Sequence, residues 1–65
     1  MKIQVNGAWR EITAGELAAA LEALGYADSV VSTAVNGEFV PVRERAHTML
    51  ADGDCLEVLA PMQGG

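Results

Sequence analysis

The 65-residue sequence predicts a two-layer α+β fold: a mixed sheet of four to five strands with one main helix packed on one face. Three observations carry this. Short alternating or β-branched stretches occur at both ends and in the middle of the chain. Two Asn-Gly pairs, Asn6-Gly7 and Asn36-Gly37, fall where strands must reverse. A single apolar stripe of helical period lies between them.

Met1 to Val5 alternates, with Met1, Ile3 and Val5 on one face and Lys2 and Gln4 on the other, the period of a half-buried strand. Asn6-Gly7 is a hairpin signal, because both central residues of a type I′ turn need positive φ. A second strand follows over Ala8 to Ile12; with Ile12 inward, Trp9 lies on the outer face and Arg10 at the core edge. Thr13-Ala14-Gly15-Glu16 fits a capping box, with Thr13 as N-cap and Glu16 reaching back to it. Leu17, Ala20, Leu21 and Leu24 then form the helix stripe, and Gly25 closes the helix as its C′ residue.

Tyr26 to Ser29 is a connector. Val30 to Val35 is rich in β-branched residues and reads as a buried third strand. The second hairpin signal leads into Glu38-Phe39-Val40, which Pro41 ends or confines to a sheet edge, since proline lacks an amide hydrogen. Val42 to Ala51 is irregular, with a helical turn expected near Arg43 to Ala46. Asp52-Gly53-Asp54 turns the chain into a last strand, Cys55 to Leu59, with Leu56 and Val58 facing one way. Pro61 blocks further pairing. The order β-β-α-β-β-β, with one helix across a hairpin and returning strands, describes the ubiquitin-like β-grasp, with a domain over 1–59 and a flexible tail over 60–65 ending in Gly-Gly.

Composition narrows the function. Chains of this size bury about 60% of the surface exposed when unfolded, and 51% hydrophobic residues suffice for one small core. The lone Cys55 cannot form an internal bridge, which suits a reducing compartment. With no apolar run near the ~20 residues of a membrane span and no signal-peptide pattern at the start, a soluble cytoplasmic protein is expected. Nine acidic against four basic residues, a net charge of −5, argue against nucleic acid and favour a basic patch on a larger protein.

No autonomous active site is apparent. Asp52-Gly53-Asp54 lacks the further ligands of a calcium loop and reads as a turn. His47 has no partner for a zinc set and reads as a loop residue. Cys55 has no base beside it in sequence and reads as a small core residue at a strand start. No glycine-rich phosphate loop is present, so ATP is not expected to bind the chain itself. That leaves Gly64-Gly65. At ordinary glycine usage of about 7%, such a pair in the last two places arises in roughly one chain in two hundred. Residues without Cβ can thread a narrow slot, and a terminal carboxylate with a pKa of about 3.5 is an ionised oxygen nucleophile at neutral pH. The chain therefore reads as a carrier or co-substrate rather than an enzyme.

Several stretches carry a resemblance: Ile3-Gln4-Val5-Asn6-Gly7, Glu16 to Leu21, Ala34 to Pro41, Leu50 to Val58, and Gly64-Gly65. Together they resemble the ThiS-type sulfur carriers of thiamin biosynthesis. Val42 and Arg45 stand where many members carry Arg and Trp. The resemblance implies that a ThiF-type adenylating enzyme binds the body and threads the tail into its own ATP site. The Gly65 carboxylate becomes an acyl-adenylate, with Gly64 kept small for threading. A persulfide from a cysteine desulfurase or rhodanese-like protein then converts it to a thiocarboxylate, and thiazole synthase receives the sulfur. No bound cofactor or metal is implied, ATP being consumed by the partner, and the carrier alone is expected to be a monomer. The outer sheet face is the expected docking surface, with Trp9 and Phe39 as candidate anchors, core packing being an equal alternative for Phe39. Three other readings share the fold. These are a carrier for molybdopterin synthase (its small subunit) or for cysteine synthesis, a ubiquitin-like modifier, and an interaction module with an idle tail.

Overall fold

Both Asn-Gly pairs make the turns their chemistry favours. Asn6 and Asn36 each have φ 51°, followed by Gly7 at 87° and Gly37 at 86°, in the left-handed region that type I′ turns require. The computed structural model describes residues 1–13 and 15–60. The first turn joins β1 (Lys2–Val5) to β2 (Ala8–Glu11) and the second joins β3 (Ser32–Val35) to β4 (Glu38–Val40). Helix α1 (Leu17–Ala23) lies between the hairpins in sequence, and a 3-10 helix (Val42–His47) precedes β5 (Cys55–Leu59). The described strands form one sheet in the order β2-β1-β5-β3-β4. Only the β1–β5 pair is parallel. The last strand thus fills the centre, between two hairpins that cannot meet without it.

Strand register decides the faces. Trp9 lies opposite Gln4, Arg10 opposite Ile3, and Glu11 opposite Lys2. Ile3 and Val5 are buried against the helix layer, so Trp9 and Glu11 point away from it. Ile12, just past β2, is buried, and its amide donates to the Met1 carbonyl at 2.9 Å. This is the arrangement expected from an inward Ile12. The third strand is shorter than its β-branched run. Val30 is 76% exposed, and the Val31 carbonyl accepts from Arg45 Nη2 at 2.7 Å instead of joining a ladder. Strand β4 ends before Pro41 and lies at the sheet edge, as proline demands.

The helix starts later than the sequence suggests. Its N-cap is Glu16, which makes no side-chain capping bond, so the Thr13–Glu16 capping box does not form. The competing interaction is an antiparallel bridge between Glu16 and Met49. Leu50 N donates to Gly15 O, and Leu17 N donates to Thr48 O, both at 2.8 Å. These bonds hold the chain extended at Glu16, and supply a partner for a first-turn amide that a cap would otherwise satisfy. The other end follows the sequence. Gly25 has φ 95°, its amide reaches Glu22 O at 3.1 Å, and Tyr26 N reaches Leu21 O at 2.8 Å, the paired bonds of a Schellman ending.

Leu17, Ala20 and Leu21 of the helix stripe are buried and Leu24 is partly buried. They meet Ile3 and Val5 from β1 and Leu56 and Val58 from β5. Among the described residues Thr33 is the one polar side chain in this core, at 2% exposure. Its hydroxyl donates to Val40 O at 2.8 Å and accepts from Arg45 Nε at 3.2 Å, so burial leaves it no unmet partner. Arg45 thereby ties the 3-10 helix to β3. Leu17 is fully buried, so Leu17→Ala is expected to lower unfolding free energy by about 2–5 kcal/mol in urea titrations. A loss below about 1 kcal/mol would mean the site collapses around the truncation.

Candidate functional site

The sheet face away from α1 is built by every second residue of five strands. It carries Trp9 on β2, Gln4 on β1, Cys55, Glu57 and Leu59 on β5, Ala34 on β3 and Phe39 on β4. Three large apolar residues there are open to solvent: Trp9 at 58%, Phe39 at 68% and Leu59 at 67% exposure. The two aromatics stand on opposite edge strands, four strand spacings or about 19 Å apart. Phe39 is therefore not a core residue. The middle is lower, formed by Gln4, Cys55, Ala34 and the acidic Glu57. A surface groove of about 500 Å³ runs here, lined by Gln4, Asn6, Gly7, Cys55, Glu57 and Leu59 among others.

Cys55 differs from expectation. It begins β5 as anticipated but faces outward and is exposed. The reason is register: Cys55 lies opposite Gln4, an outward residue, which puts Leu56 opposite inward Val5. Its thiol donates weakly to Gln4 Oε1 at 3.8 Å. His47 is exposed at the end of the 3-10 helix. Among the described residues no group of His, Cys, Asp and Glu could hold a metal ion. Asp52-Gly53-Asp54 is a turn, with Gly53 at φ 90°. Its carboxylates bond to backbone: Asp52 Oδ1 accepts from Lys2 N at 2.6 Å and Asp54 Oδ2 from Ala51 N at 2.8 Å. Gly64 and Gly65 lie outside the described residues.

Sequence reasoning missed what the two turn asparagines do with their side chains. Asn36 Oδ1 accepts from Cys55 N at 2.9 Å, and its Nδ2 donates to Asp54 Oδ1 at 3.0 Å. Asn6 Oδ1 accepts from Val58 N at 2.8 Å, and its Nδ2 donates to Val58 O at 3.1 Å. One asparagine grips the start of β5 and the other its far half. The signal available was the residue type. Asp or Gly also suits the first turn position, but neither offers a donor and an acceptor together.

The arrangement defines a class first: a ubiquitin-like β-grasp with the helix on one face, an apolar-edged open face on the other, and the central strand leading toward the final residues. The sequence model of the ThiS family matches residues 3–65. The chain belongs to this family of small sulfur carrier proteins. It is similar to a crystal structure of the thiamine biosynthesis protein ThiS from Geobacter metallireducens, at 30% identity and TM-score 0.85, with all of both chains covered. A solution structure of a thiamine biosynthesis protein from the same organism matches at 30% identity and TM-score 0.78, covering all of this chain and 88% of that one. No curated protein sequence matches the chain.

The Asp54 carboxyl is held below its ordinary pKa by the Ala51 amide first and the Asn36 side-chain amide second, against a smaller opposing cost of burial. A carboxyl whose folded pKa is depressed contributes stability above its unfolded value, and that contribution is lost as pH falls through the folded value. The thermal midpoint difference between wild type and Asp54→Ala should therefore be full at neutral pH and shrink below about pH 4. A difference independent of pH down to the acid limit would contradict this role for the carboxylate.

Proposed function

We propose that the protein carries sulfur on Gly65 for thiazole formation in thiamin biosynthesis. The observation that carries this reading is the family match, which runs through residue 65 and so includes Gly64-Gly65. The fold supports it, because β5, the last described strand, carries part of the open face and ends at Leu59, a few residues before them in sequence. An adenylating partner of the ThiF type docks on the open face and supplies the ATP site. A Gly65 carboxylate oxygen attacks the α-phosphorus, and pyrophosphate leaves. The terminal sulfur of a persulfide, held by a cysteine desulfurase or rhodanese-like protein, then attacks the acyl carbon, and AMP leaves. A thiol reduces the resulting acyl disulfide, and the thiocarboxylate remains for thiazole synthase. Activation is needed because a carboxylate is a poor acyl donor, whereas an adenylate carries a good leaving group. No metal or cofactor of the carrier's own takes part.

The open face suits such a partner in two respects. Trp9, Phe39 and Leu59 offer separated apolar anchors, and aromatic residues dominate many interfaces. Glu57 and Glu11 on the same face, within a chain of net charge −5, favour approach to a basic surface.

Incubation with a ThiF-type enzyme, ATP and a sulfur donor should raise the intact mass by one oxygen-to-sulfur exchange. A chain lacking Gly65 should stay unchanged. An unmodified wild-type chain in the presence of an active enzyme contradicts the carrier reading, and higher-mass conjugates to other proteins would replace it with a modifier. In the same assay Trp9→Ala or Phe39→Ala should raise the apparent KM for the carrier about tenfold, with kcat little altered. Unchanged kinetics for both variants would remove the open face as the docking surface.

A further inference from the structure

We propose that the Asn6 side chain is a positioning residue for the tail reaction: by bonding both the amide and the carbonyl of Val58, it fixes the point at which the chain leaves the sheet. The inference rests on the carrier reading above and adds a side-chain role that neither the turn nor the core requires.

The need for a grip follows from where β1 stops. Along the parallel pair, Gln4 N donates to Asp54 O and Asn6 N donates to Leu56 O, each at 2.9 Å. The next rung of a parallel ladder would bring Val58 N to the carbonyl of Asn6. At φ 51° the Asn6 backbone has already swung into the hairpin turn. Its side-chain amide takes the rung instead, accepting from Val58 N at 2.8 Å and donating to Val58 O at 3.1 Å. A carboxamide has the donor and acceptor of a peptide unit, so it extends the β1 ladder past the end of β1. On its other side β5 pairs with β3 through Leu59 opposite Ser32. With Asn6 in place, β5 is bonded along both edges as far as Val58. Without it, the β1 edge is bare beyond Leu56.

That distinction matters for a reaction at Gly65. Residues 60–65 span at most about 20 Å when extended, so Gly65 reaches a partner's ATP site only when the sheet releases the chain close to that site, and a release point that wanders back toward Leu56 leaves fewer docked complexes with the carboxylate in place. Attack on a phosphorus needs the oxygen at near-attack distance, and displacement by about 1 Å can cost 100-fold in rate. Val58 is inward-facing and buried, so its side chain stays seated while its backbone loses one edge. Docking through the open face is then preserved and the chemical step suffers.

The test compares Asn6→Gly, which keeps the positive-φ turn but has no carboxamide, with Asn6→Asp, which keeps only the acceptor. Asn36→Gly serves as a control that loosens the start of β5 and not its end. In the isolated proteins, Asn6→Gly should speed amide exchange at Val58 about tenfold or more relative to Leu56, the one bond to Asn6 Oδ1 being lost. In thiocarboxylate formation by the ThiF-type enzyme, it should lower kcat about tenfold or more while the KM for the carrier stays within about twofold. Asn6→Asp should fall between, and Asn36→Gly should keep the wild-type kcat despite lower thermal stability. Wild-type kcat in Asn6→Gly with Val58 exchange accelerated would overturn the positioning role and leave a merely structural bond. Unchanged Val58 exchange would overturn the grip itself. A kcat loss matched by Asn36→Gly would assign the effect to general destabilisation and also overturn it. Failure of the wild-type chain to react at all overturns the carrier reading and the positioning role together, a result distinct from an active wild type with an equally active Asn6→Gly.

Discussion

Strand β5 is the last element in sequence and the middle one in space, and the structure depends on how it is accepted there. Its parallel partner β1 begins more than fifty residues earlier. Neither hairpin alone is stable in water, and joined only through the helix layer they would leave two facing strand edges unpaired. The insertion of β5 satisfies both edges and brings Leu56 and Val58 onto Leu17, Ala20 and Leu21. With no disulfide available to the single Cys55, these pairings and this apolar layer carry the fold. Contacts of such long sequence separation cost loop-closure entropy before they give anything back. Of the sheet pairings, β1 with β5 closes the longest stretch of chain.

Several devices converge on that strand from elsewhere. Asn36 bonds its first amide, Asn6 bonds its fourth residue, and the Asp52–Asp54 turn anchors its approach through Lys2 and Ala51. Arg45 and Thr33 brace the neighbouring β3 from the 3-10 helix. The result is a sheet held rigid at its centre, with its recognition residues on the edges.

Much of this was legible in the sequence because the signals were local. Asn-Gly turns, the Leu17–Leu24 stripe, Gly25 and Pro41 each act within a few residues, and each is found where its local chemistry puts it. Expectations failed where a distant segment competed. The capping box at Thr13–Glu16 lost to the strand-like bridge with Met49, which no local pattern announces. Val30 and Val31 left the third strand because a register set by β5 ends at Ser32 and because Arg45 claims the Val31 carbonyl. Cys55 faced outward for the same reason, its neighbour Leu56 being needed inside. The side-chain work of Asn6 and Asn36 was hidden because their backbone role already accounted for them. The final glycines lie outside the described residues, and their part in the account comes from sequence and family.

The division of faces then has a simple logic. The helix covers one side of the sheet and makes the core, which frees the other side for a partner and leaves β5 to run out from between them. A strand bonded along both edges as far as Val58 gives the chain a firm point of release from the sheet. Backbone order parameters from ¹⁵N relaxation read the firmness of β5 directly. Leu56 to Leu59 should match the buried strand β1, with values of about 0.85 throughout. A decline beginning at Leu56 and reaching about 0.6 by Val58 would show that the strand frays before it ends, and would contradict that firmness.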